Sequence, residues 1–154
     1  YTGPVVKLLR LFGRGSAYVP GGSAHVMALD PFVGNPVTSD PVRYARTVAI
    51  LEAQPSLGLG SPTNAWTAAA FDAMDAFADP RYALEIRQPI VIVAAGRDDI
   101  VSTPVTEEFG LRLRAGSHLV VAGAKHEILM EQDHYRAQFF AAMDAFIPGS
   151  PLFG

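Results

Sequence analysis

Residues 89–102 read PIVIVAAGRDDIVS, a short apolar run rich in β-branched side chains, opened by Pro89, closed by Gly96 and followed, after Arg97, by two acids. A run that is apolar at nearly every position, rather than alternating, suits a strand buried on both faces of a parallel sheet. Downstream, TPVTEEFGLRLRAG (103–116) starts a helix at Thr103 and Pro104. Val105, Phe109 and Leu113 share one face, Arg112 and Arg114 lie near the end, and Gly116 follows. HLVVA (118–122) is a second strand-like run. A last helix from Asp133 carries Tyr135, Phe139, Met143 and Phe146 on one stripe until Pro148-Gly149 stop it. Strand, helix, strand, helix is a βαβα unit, which predicts two parallel strands joined by a right-handed crossover.

Upstream the grammar differs. From Gly3 to about Pro80 short helical pieces alternate with Pro- and Gly-rich connections, and no strand-like run of length occurs. PVVKLLRLF (4–12) predicts a short helix ended by Gly13 and Gly15. After a loop over 19–40, SDPVRYARTVAILEA supplies Ser39 or Asp40 as an N-cap and Pro41 at the first helical position, which predicts a helix over 41–53. Thr63 caps a further segment in which Trp66, Ala70, Ala73 and Phe77 recur at helical spacing before Asp79-Pro80. The expected organisation is a helical region over 1–85 and an α/β region over 86–154. Two strands would leave edges of unpaired N–H and C=O groups, so further strands are expected from outside this sequence.

In open parallel sheets ligands bind beyond the carboxyl ends of the strands. Asp98 and Asp99 follow the first strand and His126 follows the second, so adjacent parallel strands would bring these loops to one edge. A carboxylate facing an imidazole is the orienting half of a nucleophile-activating triad: the acid fixes the tautomer, and the other ring nitrogen takes the nucleophile's proton. Each residue taken singly also has a plainer reading. A histidine there can be a loop or core residue, and an aspartate a turn or helix-capping residue. His25, His118 and His134 lack the pattern and read as structural or exposed.

Other chemistries find less support. A net charge of -3 without a Lys/Arg run gives no footprint for nucleic acid. His126-Glu127 begins like the zinc-protease helix motif, but Met130 stands where the second ligand would be, so no metal is expected. The short Gly13-Arg14-Gly15-Ser16 and Gly58-Leu59-Gly60-Ser61 stretches do not match phosphate-cradling loops, and no cofactor is expected. The absence of cysteine removes thiol chemistry and fits a reducing, cytoplasmic setting. No apolar stretch approaches the roughly 18 to 20 residues that span a bilayer, so no membrane span is expected. The chain begins with Tyr1 rather than Met, and the expectation is that translation starts upstream.

PIVIVAAGRDDIVS, TPVTEEFGLRLRAG and SHLVVAGAKHEILMEQD, with the closing helix, resemble the C-terminal part of an α/β-hydrolase. They are most similar to the lysophospholipase and monoacylglycerol-lipase-like branch, also grouped with serine aminopeptidase-like hydrolases. PFVGNPVTSDPVRYARTVAILEA and LGLGSPTNAW resemble that branch's helical cap, so the match covers about residues 30–149. The resemblance implies the chain order Ser, acid, His. It makes Asp98 the acid, with Asp99 the runner-up, and His126 the base. The nucleophile elbow G-x-S-x-G is absent from this sequence, as is the oxyanion-hole segment.

The expectation is therefore the C-terminal portion of a serine hydrolase that cleaves carboxylic esters of lipid-like substrates. Its N-terminal half would be the partner, Trp66 and Phe71 would be candidate cap contacts to an acyl chain, and the isolated chain would be inactive. A peptidase or another ester hydrolase on the same fold, or a non-catalytic binding or regulatory piece, are the alternatives.

Overall fold

The computed structural model describes residues 3–147; Tyr1 and the Pro148-Gly149 stop lie outside them. Two compact units divide the described residues, one of residues 3–30 and 47–82, the other of residues 31–46 and 83–147. This division differs from that at residue 85, because 31–46 packs with the second half.

In the first unit α1 (Gly3–Leu9) lies against α3 (Asn64–Ala78), with Val6 and Ala68 fully buried between them. Gly3 sits under the Phe71 ring, where a Cβ would approach to 3.1 Å. At Arg10 the α-helix passes into a π turn over Arg10–Arg14, and the backbone leaves helical geometry at Phe12 and Gly13, the glycine expected to end the helix. Thr63 caps α3 as its sequence predicts, accepting a hydrogen bond from the Trp66 N–H. Asn64 donates to the carbonyls of Arg14 and Tyr18, tying the irregular 10–19 segment to the start of α3. Asp79 ends α3, but Pro80 then opens α4 (Pro80–Glu85), an element the sequence reading missed. Proline at a first helical position lacks only an N–H that would be unpaired anyway.

The second unit holds the parallel pair β1 (Ile90–Ala95) and β2 (Gly116–Val121), in register from Ile90 opposite Gly116 to Ala95 opposite Val121. β2 begins two residues before the run read from sequence. Between the strands runs α5 (Thr103–Arg112), and α6 (Asp133–Phe146) follows them. Successive side chains of a strand point to opposite faces. Gly110 of α5 lies close over Ile92 and His118, whereas Tyr135 and Phe139 of α6 join Val93, Leu119, Ala95 and Val121. The helices therefore cover opposite faces of the pair.

Of the expected face of α5, Leu113 just past its end is buried and Phe109 half-buried, but Val105 is 61% exposed, and Gly110 is the buried residue of the helix. A glycine over the strands lets the helix approach to a distance at which an added Cβ would lie 3.2 Å from His118 Cβ. Among the described residues the sheet has two strands, and most β1 side chains are half-buried rather than fully buried. Complete burial of a strand needs a neighbour on both edges, and here each strand has one.

α2 (Pro41–Ala53) has the bounds that its cap predicts. Asp40 is the N-cap, its Oδ1 accepting from the N–H groups of Val42 and Arg43. Ser39, the other candidate, turns its hydroxyl to Glu131 instead.

Candidate active site

β1 and β2 end together at Ala95 and Val121, so the loops that follow leave one edge of the sheet side by side. They are laced by backbone hydrogen bonds from Gly96 N–H to Val121 C=O (2.9 Å) and from Arg97 N–H to Ala124 C=O (2.8 Å). The second bond fixes the residue before Asp98 against the residue two before His126.

On this frame His126 Nδ1 lies 2.9 Å from Asp98 Oδ2. The Asp98 side chain is 4% exposed and that of His126 34% exposed. The other Asp98 oxygen, Oδ1, accepts from the N–H groups of Ile100 (2.8 Å) and Val101 (3.0 Å). The aspartate therefore makes a turn and faces the imidazole at once, so the plain and the chemical readings hold together. Burial pushes the Asp98 carboxyl up, but hydrogen bonds from Val101, His126 and Ile100 outweigh it and hold its pKa below the ordinary carboxylate value. Asp99, the runner-up, is exposed. With Nδ1 engaged by the carboxylate, the imidazole has Nε2 free of protein partners among the described residues.

A cleft of about 170 Å³ opens beside the pair, lined by β1 from Val93 to Ala95, by Thr103 and Thr106, and by Asp98 and His126. Thr103 Oγ1 donates to the Ala95 carbonyl at 2.6 Å, closing the end of the strand. Among the described residues no cluster of three His, Cys, Asp or Glu side chains is placed to hold a metal ion. No helix among them is long and apolar enough to cross a membrane.

His25 pairs with Asp30 at 2.6 Å in the first unit, an acid partner that sequence reading missed, and His118 stands 4.0 Å from Glu107. Trp66 is 65% exposed, whereas Phe71 is engaged with Gly3. Sequence reading also missed Glu131, whose fully buried side chain lies five residues after His126. An acid in a polar stretch carries no local sign of burial.

Parallel strands covered by helices on both faces make an α/β architecture that brings an acid loop and a histidine loop to one edge. No protein-family model matches the chain. Over 143 residues it is 27% identical to "Probable lysophospholipase L2" of Haemophilus influenzae, covering 93% of this chain and 44% of that protein. A soluble variant of monoglyceride lipase from Saccharomyces cerevisiae, solved with a substrate analog, superposes with a TM-score of 0.65 at 16% identity. That match covers 94% of this chain and 47% of the lipase, and it establishes the fold. The chain thus spans a little under half the length of each. These likenesses bear out the resemblance to the C-terminal part of the lysophospholipase and monoacylglycerol-lipase-like α/β-hydrolases.

Proposed function

We propose that this chain supplies the acid and base of a Ser-Asp-His triad in a hydrolase that cleaves carboxylic esters of lipid-like substrates. The observation that carries the reading is the buried Asp98 carboxylate 2.9 Å from His126 Nδ1, beside a cleft at the carboxyl edge of parallel strands. The serine would come from the N-terminal half of the same hydrolase, since no G-x-S-x-G occurs in this sequence. The name of the bacterial relative and the substrate analog in the yeast lipase support an acyl ester as substrate.

In this mechanism the serine hydroxyl attacks the ester carbonyl while His126 Nε2 takes its proton. Asp98 holds Nδ1–H and stabilises the imidazolium. Collapse of the tetrahedral intermediate breaks the bond to the leaving alcohol, which receives the proton from Nε2. Water, deprotonated by the same nitrogen, then attacks the acyl-serine and releases the carboxylic acid. The part of region 1–85 that forms the first unit serves as the cap, whereas residues 31–46 belong to the second unit. Trp66, exposed on its own unit, is available to an acyl chain, whereas Phe71 is taken up by packing.

The test uses the full-length protein that carries this sequence. Purified protein should hydrolyse monoacylglycerol or lysophospholipid and react with a fluorophosphonate probe, and His126→Ala should abolish both while circular dichroism is unchanged. Turnover preserved in His126→Ala would remove the triad assignment. The missing nucleophile favours one second reading, a non-catalytic binding piece. Lack of probe labelling in the full-length protein would select it.

A further inference from the structure

Glu131 is a fully buried carboxylate that the triad chemistry leaves without a role. Its Oε1 accepts from Ser39 N–H (3.0 Å) and Lys125 N–H (2.9 Å). Its Oε2 accepts from Ser39 Oγ–H and from Gln132 N–H (3.2 Å). A buried carboxylate is costly unless hydrogen bonds replace its water, and four donors do so here.

Two of those donors flank the histidine turn: Lys125 immediately precedes His126, and Gln132 follows the single 3-10 turn of Ile128–Met130. The other two belong to Ser39, on the segment that also pins the turn elsewhere. Val37 C=O accepts from Glu127 N–H (2.9 Å), Asn35 C=O from Lys125 Nζ (2.6 Å), and Thr38 Oγ1 donates to Met130 C=O (2.7 Å). Arg43 donates to the Glu131 carbonyl at 2.8 Å. The backbone amides of the residues on either side of His126 are thus both held, Lys125 by the Glu131 carboxylate and Glu127 by the 31–46 segment.

We infer that Glu131 is a positioning residue that sets the placement of His126 against Asp98, with Ser39 as its partner across the turn. The inference rests on the reading of His126 as the base. Amide for carboxylate at this site would turn an N–H₂ toward donors that now meet an acceptor, loosening the turn at Lys125 without touching substrate, His126 or Asp98.

The experiment compares wild type, Glu131→Gln and Ser39→Ala in the full-length protein by two readouts. Ester turnover in folded Glu131→Gln should show kcat lowered about 10- to 100-fold with KM within about twofold, as expected for a misplaced catalytic group. Proton NMR of ¹⁵N-histidine-labelled protein, assigned with His126→Gln, should show the hydrogen-bonded His126 Nδ1–H resonance lost or moved upfield in Glu131→Gln. Ser39→Ala should change both in the same direction by less, about threefold or more in kcat. Both variants folded with kcat and resonance unchanged would overturn the inference. If Glu131→Gln does not fold, Ser39→Ala decides alone, and an unchanged resonance there overturns it. Wild type without ester turnover would end the hydrolase reading, yet the resonance would still report whether Glu131 holds His126.

Discussion

Asp98 divides its two oxygens between a backbone turn and the His126 imidazole, which makes asparagine the informative substitution. Asparagine can still offer an oxygen to Ile100 and Val101, but it presents N–H₂ to Nδ1 and so favours the wrong tautomer. Asp98→Asn in the full-length protein should lower kcat by about 10⁴ in protein that still folds, with a lower melting temperature at neutral pH because the stabilising carboxylate is gone. Asp99→Asn, on an exposed side chain, should leave turnover near wild type and change stability by no more than about 0.5 kcal/mol. A large loss from Asp99→Asn would reassign the acid. The depressed Asp98 carboxyl also gives a pH dependence. A carboxyl more acidic folded than unfolded contributes stability that is complete above the unfolded value, near 3.9, and is lost as pH falls through the lower folded value. Acid titration of the melting temperature should therefore show a component below the ordinary carboxylate range that disappears in Asp98→Asn.

Among the elements, the histidine loop depends on a glycine as well as on its hydrogen bonds. Gly123 has φ +83°, and a Cβ there would come within 2.9 Å of the Tyr135 hydroxyl. Gly123→Val should cost about 1 to 3 kcal/mol in chemical denaturation from backbone strain alone; an unchanged midpoint would show that the loop adopts another path. At the start of α2, Asp40→Ala should cost about 1 kcal/mol. The sequence made α2, α3 and β1 legible because caps, prolines and apolar runs act within a few residues. Neighbouring strand ends then placed Asp98 and His126 together. What stayed hidden is long-range. Ser39 meets Glu131 and Asn35 meets Lys125 across some ninety positions, which leaves no periodic trace, so the 31–46 segment read as helical-region material although it is tied to the histidine loop. α4 was missed for the opposite reason: Asp79-Pro80 signals both the end of one helix and the start of the next.

Across the whole molecule, each of the two described strands has an unpaired edge, and half-buried side chains run along most of β1. A two-stranded sheet is marginal in water, because its open ladders and uncovered apolar area invite another strand. Large apolar residues, Val105 and Leu111 of α5 among them, are also exposed at 61% and 73%. The buried hydrophobic cluster of the α/β unit consists of Ala95, Val121, Ala124 and Ile128, with four half-buried neighbours, a small core for a chain that must offset its conformational entropy. The 154-residue chain expressed alone should therefore self-associate or unfold without a cooperative transition, as read by light scattering after gel filtration and by thermal melting. Co-expression with the N-terminal half of its parent should yield a one-to-one complex that melts cooperatively and, where that half carries the serine, reacts with a fluorophosphonate. A monomeric, cooperatively folding chain would mean that the pair of strands is sufficient, and the argument from open edges would fail. Unlike that outcome, a one-to-one complex without probe reactivity would keep the incomplete sheet but remove the triad, because assembly needs only a matching edge whereas acyl transfer needs a nucleophile within reach of His126 Nε2.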